Sequence, residues 1–293
     1  MPYSEWTRYL RGFSPESARQ RPPEGLFCAD EQAVAVDGWD GAGDEELARF
    51  RQQGFLVVDG AFSAAEVQGA LDAIGALLDG AAPSYHPAPW GQRHGVLLRP
   101  DASLDTLSSA NWLDVLVLAR AMVEHEPRLT AMATHPGLER VLRHMMGDAP
   151  VLIHNMVRTK PPTMGDKPWH QDLTHFNVDP AFTVVTAWIA LDDAPRESGC
   201  LHFLPGTHLG GPAKHVFGRD YQIPDADVPR VGQVATPVAR GGCVLFNGLT
   251  HHGSPPNQSS VRRLALQLTF KPANARVISE EERILAFAGT ASD

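Results

Sequence analysis

A chain of 293 residues with 43% hydrophobic content is long enough for one large domain or two modest ones, and it can bury a substantial core. Its net charge of -9 gives no basic stripe for nucleic acid, and no run approaches the roughly 18 apolar residues of a membrane span. Three well-separated cysteines, Cys28, Cys200 and Cys243, form no CxxC pair, which excludes a disulfide framework and a thiolate zinc site and reads as buried, inert thiols. The start "MPYSEWTRYLRG" has no apolar signal core and "TASD" is no peroxisomal address, so the expectation is a cytoplasmic enzyme acting on a small molecule, without nucleic-acid or membrane partners. Oligomeric state is not legible.

In chain order, residues 1–43 are rich in Pro, Gly and Arg without a sustained period and read as an irregular leader over the domain. From Asp44 the pattern predicts a short helix with acids in its first turn, a strand over 55–58, and a second helix. The second helix has Ser63 as N-cap, Glu66 completing a capping box, and an end near Gly80. Residues 81–111 contain four prolines and read as a long loop. Helices are expected over 112–125 and 136–146, the latter with Pro136 in its first turn and Gly147 past its last. After Pro150, short β-rich runs alternate with Gly and Pro, which points to an antiparallel sandwich or barrel rather than βαβ units. The expected architecture is α+β, mainly β. One catalytic domain, 1–293, would hold a helical flank with a loop over 44–149, a β core over 150–272 and a C-terminal tail over 273–293.

Chemistry concentrates in three stretches. In "PWHQDLTHF", His170 and Asp172 project from one face of an extended segment, a pairing that a histidine-rich chain also produces by chance. About 80 residues on, "LTHHGSPPN" follows the strand-like "GGCVLFN"; adjacent side chains point to opposite faces, so His251 and His252 cannot both serve one site. Two imidazoles and one carboxylate on one face of a metal form the triad of non-haem Fe(II) oxygenases, and a jelly roll brings such strand ends together. In "SVRRLALQLTF", Leu264, Leu266, Leu268 and Phe270 share one face, while Arg263, Ala265, Gln267 and Thr269 share the other. Arg263 therefore lines a lumen, where it needs an anion such as a carboxylate, and these strands offer no obvious acidic mate.

The motifs "FRQQGFLVVDGAFSAAEV", "MVRTKPP", "WHQDLTHF", "TAWIAL", "SGCLHFLPGTH" and "HHGSPPNQSSVRR", taken in order, resemble the phytanoyl-CoA dioxygenase family of Fe(II)/2-oxoglutarate-dependent oxygenases, most strongly over 150–270. The resemblance implies a double-stranded β-helix (cupin-like jelly roll) core flanked by N-terminal helices. It also implies iron held by His170, Asp172 and His252, and a 2-oxoglutarate cosubstrate whose far carboxylate is held by Ser254 and Arg263. Met156 and Trp188 match cosubstrate-contacting positions, and for a further basic contact Arg120 is the nearest candidate. The implied reaction consumes O2 and 2-oxoglutarate, releases succinate and CO2, and hydroxylates or otherwise oxidises an aliphatic C–H of a small metabolite or biosynthetic intermediate; an acyl-CoA 2-hydroxylase is the alternative. Asp172 favours hydroxylation over halogenation, since related halogenases lack that carboxylate. A non-catalytic metal-binding jelly roll, or a zinc hydrolase, would leave Arg263 without a role.

His251 is expected to support the site from the opposite side; His175, five residues past the motif, is a candidate to face substrate, with the structural reading preferred. His154, His202, His208 and His215 read as structural histidines, Gln171 as facing away, and Gly199, Gly206, Gly241 and Gly242 as turn residues. Residues 81–100, 210–232 and the leader are the expected substrate-contacting segments. Trp90, His94, Arg99 and Tyr221 are of suitable type there but stay unassigned.

Overall fold

A computed structural model describes residues 20–89, 92–99 and 101–288. The first strands among the described residues are two short ones, β1 (Glu31–Gln32) and β2 (Ala35–Asp37), so part of the leader belongs to the sheets. Helix α1 (Asp44–Gln53) ends at Gly54, strand β3 spans Phe55–Asp59, and helix α2 spans Ala64–Leu78 behind the Ser63/Glu66 capping box that the sequence indicates.

Two readings of the region up to residue 149 need correction. The stretch 81–111 is not all loop, because β4 (Ala88–Pro89) and β5 (Gly95–Leu98) lie in it. Only one helical turn, α3 (Trp112–Val115), forms where a longer helix was expected; "LVLAR" continues as strand β6 (Leu116–Arg120). A short apolar run fits helix and strand equally by period, and here pairing with the neighbouring strand decides. Helices α4 (Pro127–Ala133) and α5 (Pro136–Met146) follow, α5 with Pro136 and Gly147 at its ends as expected.

The remaining strands are β7 (Pro150–Lys160), β8 (Lys167–His170), β9 (Val185–Ala190), β10 (Leu201–Phe203), β11 (Val216–Phe217), β12 (Tyr221–Gln222), β13 (Val234–Thr236), β14 (Cys243–Asn247), β15 (His252–Ser254) and β16 (Arg263–Pro272). They form a nine-stranded sheet, β2-β3-β14-β9-β16-β7-β6-β5-β4, facing a five-stranded sheet, β1-β13-β10-β15-β8, with β11 and β12 a separate hairpin. Pairing is antiparallel except at β1/β13, β2/β3 and β4/β5. The result is the mainly β jelly roll with flanking helices that the sequence suggests. The tail is not featureless: Ser279 and Glu282 form a capping box on helix α6 (Glu280–Phe287).

Alternation along the central strands builds two cores. Leu56, Val58, Ala187, Ile189, Cys243, Leu245, Leu264, Leu266 and Leu268 pack outward with the apolar faces of the helices. Their neighbours Phe55, Val57, Trp188, Ala190, Val244, Phe246 and Ala265 pack inward, with Phe203 of the opposing sheet. Sheet buried on both faces explains why β3, β9 and β14 read as nearly continuous apolar runs. At one end of the inward face the apolar lining gives way to polar side chains around a cavity of about 790 Å³. Among the described residues no helix is long and apolar enough to cross a membrane. Cys200 and Cys243 are buried as expected, whereas Cys28 is only half-buried, its Sγ 2.8 Å from the Arg230 carbonyl.

Candidate metal centre and active site

β8 and β15 are neighbours, and their register sets His170 directly across from His252, with ring centroids 4.2 Å apart. The chain then leaves β8 through extended Gln171 into a 3-10 turn, Asp172–His175, which returns the Asp172 carboxylate to the same side. Gln171 points away, as alternation requires. Its Nε2 donates to the carbonyls of Gly211 and Leu249 at 2.9 and 2.7 Å, and its Oε1 accepts from Ala213 N at 2.8 Å. The residue between the two candidate ligands thus clamps the chain segments behind them.

The three side chains are buried and presented to one another. His170 Nδ1 lies 2.8 Å from the Pro168 carbonyl and His252 Nδ1 lies 3.0 Å from the Thr250 carbonyl. Carbonyl oxygens only accept, so each Nδ1 carries hydrogen and each Nε2 is left as a lone-pair donor to the cavity. Those Nε2 atoms stand 3.4 and 3.5 Å from Asp172 Oδ1, and all three ligand atoms fall within 4.8 Å of one another. Asp172 Oδ2 is held separately by Thr186 Oγ1 at 2.8 Å and Gln267 Nε2 at 3.1 Å. Burial pushes the Asp172 carboxyl up, but attraction to the neighbouring His252 and His170 prevails and holds it well below the usual carboxylate range. Burial, reinforced by the His252 charge, depresses His170 well below its ordinary value. Two imidazole lone pairs and a carboxylate oxygen aimed at a common point suit a divalent cation, so this donor set fits iron.

Arg263, at the start of β16, is fully buried, its guanidinium 5.0 Å over the Trp188 ring. It donates to the Gly199 carbonyl and, at 3.1 Å, to Ser254 Oγ, while its Nε is buried without a hydrogen-bond partner. Opposite it in register is Lys160, also fully buried; its Nζ donates to Ser254 Oγ at 2.6 Å, to Ser254 O at 3.1 Å and to the Pro255 carbonyl. Gly199 admits this packing: its φ is 76°, and a Cβ there would stand 2.4 Å from Pro255 O. Neither cation has a carboxylate partner among the described residues. Burial, with the nearby Arg158 charge, lowers Arg263 to about 9, and burial with the Arg263 charge lowers Lys160 well below the usual lysine value. A carboxylate is the natural guest for this end of the cavity.

The structure therefore brings His170, Asp172, His252, Ser254, Arg263, Met156 and Trp188 to one cavity. Arg120 lines it too, opposite Met156 in register and donating to the Gln92 carbonyl. His251 is not on the cavity wall; its backbone N–H donates to Thr207 Oγ1 and burial lowers its ring to about 4. His175 lines the cavity, the less favoured of its two sequence readings. His154, read from the sequence as structural, lines it as well, because its strand parity is that of Met156; His208 and His215 are tied to the carbonyls of Arg51 and Ala213. His202 is packed edge-on against Phe27 with its Nδ1 unpartnered. Trp90 lies outside the described residues, Arg99 pairs with Asp101, and His94 stacks on Tyr85.

Sequence reasoning missed Lys160, Thr186 and Gln267. Gln267 shares the polar face of β16 with Arg263, and Lys160 and Thr186 sit inside "MVRTKPP" and "TAWIAL". What those motifs lacked was the cross-strand register.

The phytanoyl-CoA dioxygenase family model matches residues 50–265. The chain belongs to this family. It is an oxygenase that uses Fe(II), 2-oxoglutarate and O2 on a jelly-roll core. It is 26% identical over 266 residues to phytanoyl-CoA dioxygenase domain-containing protein 1 of Mus musculus, an alignment spanning 80% of this chain and 91% of the relative. It is 31% identical over 172 residues to the peroxisomal phytanoyl-CoA dioxygenase of Bos taurus, covering 54% of this chain and 50% of that protein. Among solved structures it is similar in fold to the epimerase SnoN in complex with Fe3+, alpha ketoglutarate and nogalamycin RO, with a TM-score of 0.60, 22% identity, and coverage of 85% of this chain and 91% of that one.

Proposed function

We propose that this oxygenase oxidises an aliphatic C–H bond of a small metabolite or biosynthetic intermediate, hydroxylation being the default outcome, in one catalytic domain. In this reading His170, Asp172 and His252 hold the iron, Arg263 and Ser254 hold the far carboxylate of 2-oxoglutarate, and Met156 and Trp188 flank it. The observation that carries it is the pairing, in one cavity, of a convergent His-Asp-His donor set with a buried arginine that has no acidic partner among the described residues.

Bound iron and 2-oxoglutarate would supply the oxidising power, one atom of O2 ending in the new carboxylate of succinate and the other in the product hydroxyl, while the C1 carboxylate of 2-oxoglutarate leaves as CO2. The chain's own residues do the rest. The Pro168 and Thr250 carbonyls fix the imidazole tautomers, so both Nε2 atoms stay available. Thr186 and Gln267 bind one carboxylate oxygen of Asp172 and leave the other to the metal. Lys160 and Gly199 set the position of the Ser254 hydroxyl beside Arg263. The apolar side chains of Leu201, Phe246 and Trp188 shield the inner wall from water.

A cavity of about 790 Å³ lies within the range of small-molecule sites and leaves room beside a five-carbon cosubstrate. An acyl-CoA 2-hydroxylase is the second reading, favoured by the 31% identity to the bovine phytanoyl-CoA enzyme. The test is succinate release from Fe(II) protein, 2-oxoglutarate and O2 across a panel of metabolites and acyl-CoA thioesters, with product mass read in parallel. The expected result is substrate-stimulated succinate with a product one oxygen heavier. Absence of any 2-oxoglutarate turnover, with or without substrate, would defeat the proposal.

A further inference from the structure

The cavity holds more positive charge than this chemistry uses. Of its charged lining residues, Asp172 belongs to the metal donor set and Arg263 to the cosubstrate clamp, while Lys167 is ion-paired with Asp220. Arg93 at the rim and Arg120 and Arg158 in the wall face only one further lining acid, Glu124, which itself accepts from Asn155 Nδ2 at 3.1 Å. The whole chain carries a net charge of -9, so this basic excess is a local arrangement and not a reflection of composition.

Arg158 is the informative member. It sits on β7 between Leu118 of β6 and Ala265 of β16, and neither cross-strand neighbour has a polar side chain. It is half-buried, lines the same cavity as the donor set, and its side chain makes no hydrogen bond or ion pair among the described residues. Its charge also bears on both Lys160 and Arg263, so three cations lie near one end of the cavity, and the acid that bears on Lys160, Asp166, is itself ion-paired with Arg219. A guanidinium held against apolar neighbours and beside other cations is unfavourable until an anion arrives. The far carboxylate of 2-oxoglutarate already has Arg263 and Ser254.

Resting on the oxygenase reading, we propose that Arg158 anchors an anionic group of the substrate, a carboxylate or a phosphate, so that the enzyme selects acidic small molecules over neutral counterparts of the same shape. The planar fork of arginine suits either group through two parallel hydrogen bonds. Arg93, exposed at the rim, adds to the field that draws such a molecule in.

The test uses the full chain loaded with Zn(II), which does not turn over, and titrates 2-oxoglutarate first. Hexanoate, hexyl phosphate and hexanamide follow as probes, all read by calorimetry. The expected result is that at least one anionic probe binds about tenfold or more tightly than hexanamide. Arg158→Gln should abolish that preference and Arg158→Lys retain part of it, with 2-oxoglutarate affinity within about threefold of the parent in both. If Arg158→Gln instead weakens 2-oxoglutarate about tenfold or more, Arg158 belongs to the cosubstrate clamp and the proposal is overturned. Equal binding of the three probes by the parent, or binding of none, overturns it as well. Failure of the Zn(II)-loaded parent to bind 2-oxoglutarate, seen before any probe is added, would count against the oxygenase reading instead.

Discussion

The two ends of the cavity are built on opposite electrostatic terms. At the His170–Asp172–His252 end, three electron-rich atoms converge and every outer hydrogen-bonding atom is already taken, by Pro168, Thr250, Thr186 and Gln267. At the Arg263–Lys160 end, two buried cations share neutral oxygens and one guanidinium nitrogen has no partner. One end suits a cation and the other an anion, and a chelating dianion answers both. Charge burial of this kind is costly in an empty fold, so its presence points to occupants and not to stability.

That contrast can be broken at either end. The largest effect is expected at the metal end: Asp172→Ala should weaken Fe(II) binding by about 100-fold or more and abolish succinate formation, read by metal titration and product assay. Next, Arg263→Gln should raise the dissociation constant of 2-oxoglutarate about 100-fold while leaving metal affinity nearly unchanged, a split that separates the two ends. Lys160→Met should weaken 2-oxoglutarate about tenfold by freeing the Ser254 hydroxyl, with little change in Tm, because lost hydrogen bonds are offset by relief of buried charge. The smallest effect belongs to His251→Ala, which should alter iron affinity less than about threefold; a loss matching that of His252→Ala would overturn the ligand choice.

Much of this was legible because β-strand alternation is strict. The Leu264–Phe270 pattern announced both the helix-facing core and the lumen position of Arg263. The same rule separated His252 from His251. What stayed hidden depended on partners distant in sequence. Nothing in "LVLAR" distinguishes helix from strand until β7 offers Val157 and Met156 as register mates. Lys160 faces Arg263 only because β7 and β16 pair in one particular register. Helix α6 was a weaker case: its Ser279/Glu282 box is local and visible, but the segment is short and follows the last strand. Its buried Arg283, which donates to Asn177 Oδ1 at 2.9 Å and to the Thr174 carbonyl, braces the turn that carries Asp172.

The most direct test of a cavity with a metal at one end and a carboxylate clamp at the other is an anaerobic titration of the Fe(II) protein with 2-oxoglutarate, followed by visible absorption. The account predicts a saturable 2-oxoglutarate-dependent spectral change in the parent and in His251→Ala, none in Asp172→Ala, and one shifted to far higher concentration in Arg263→Gln. No change in the parent, or a full change in Asp172→Ala at the parent's concentrations, would contradict it.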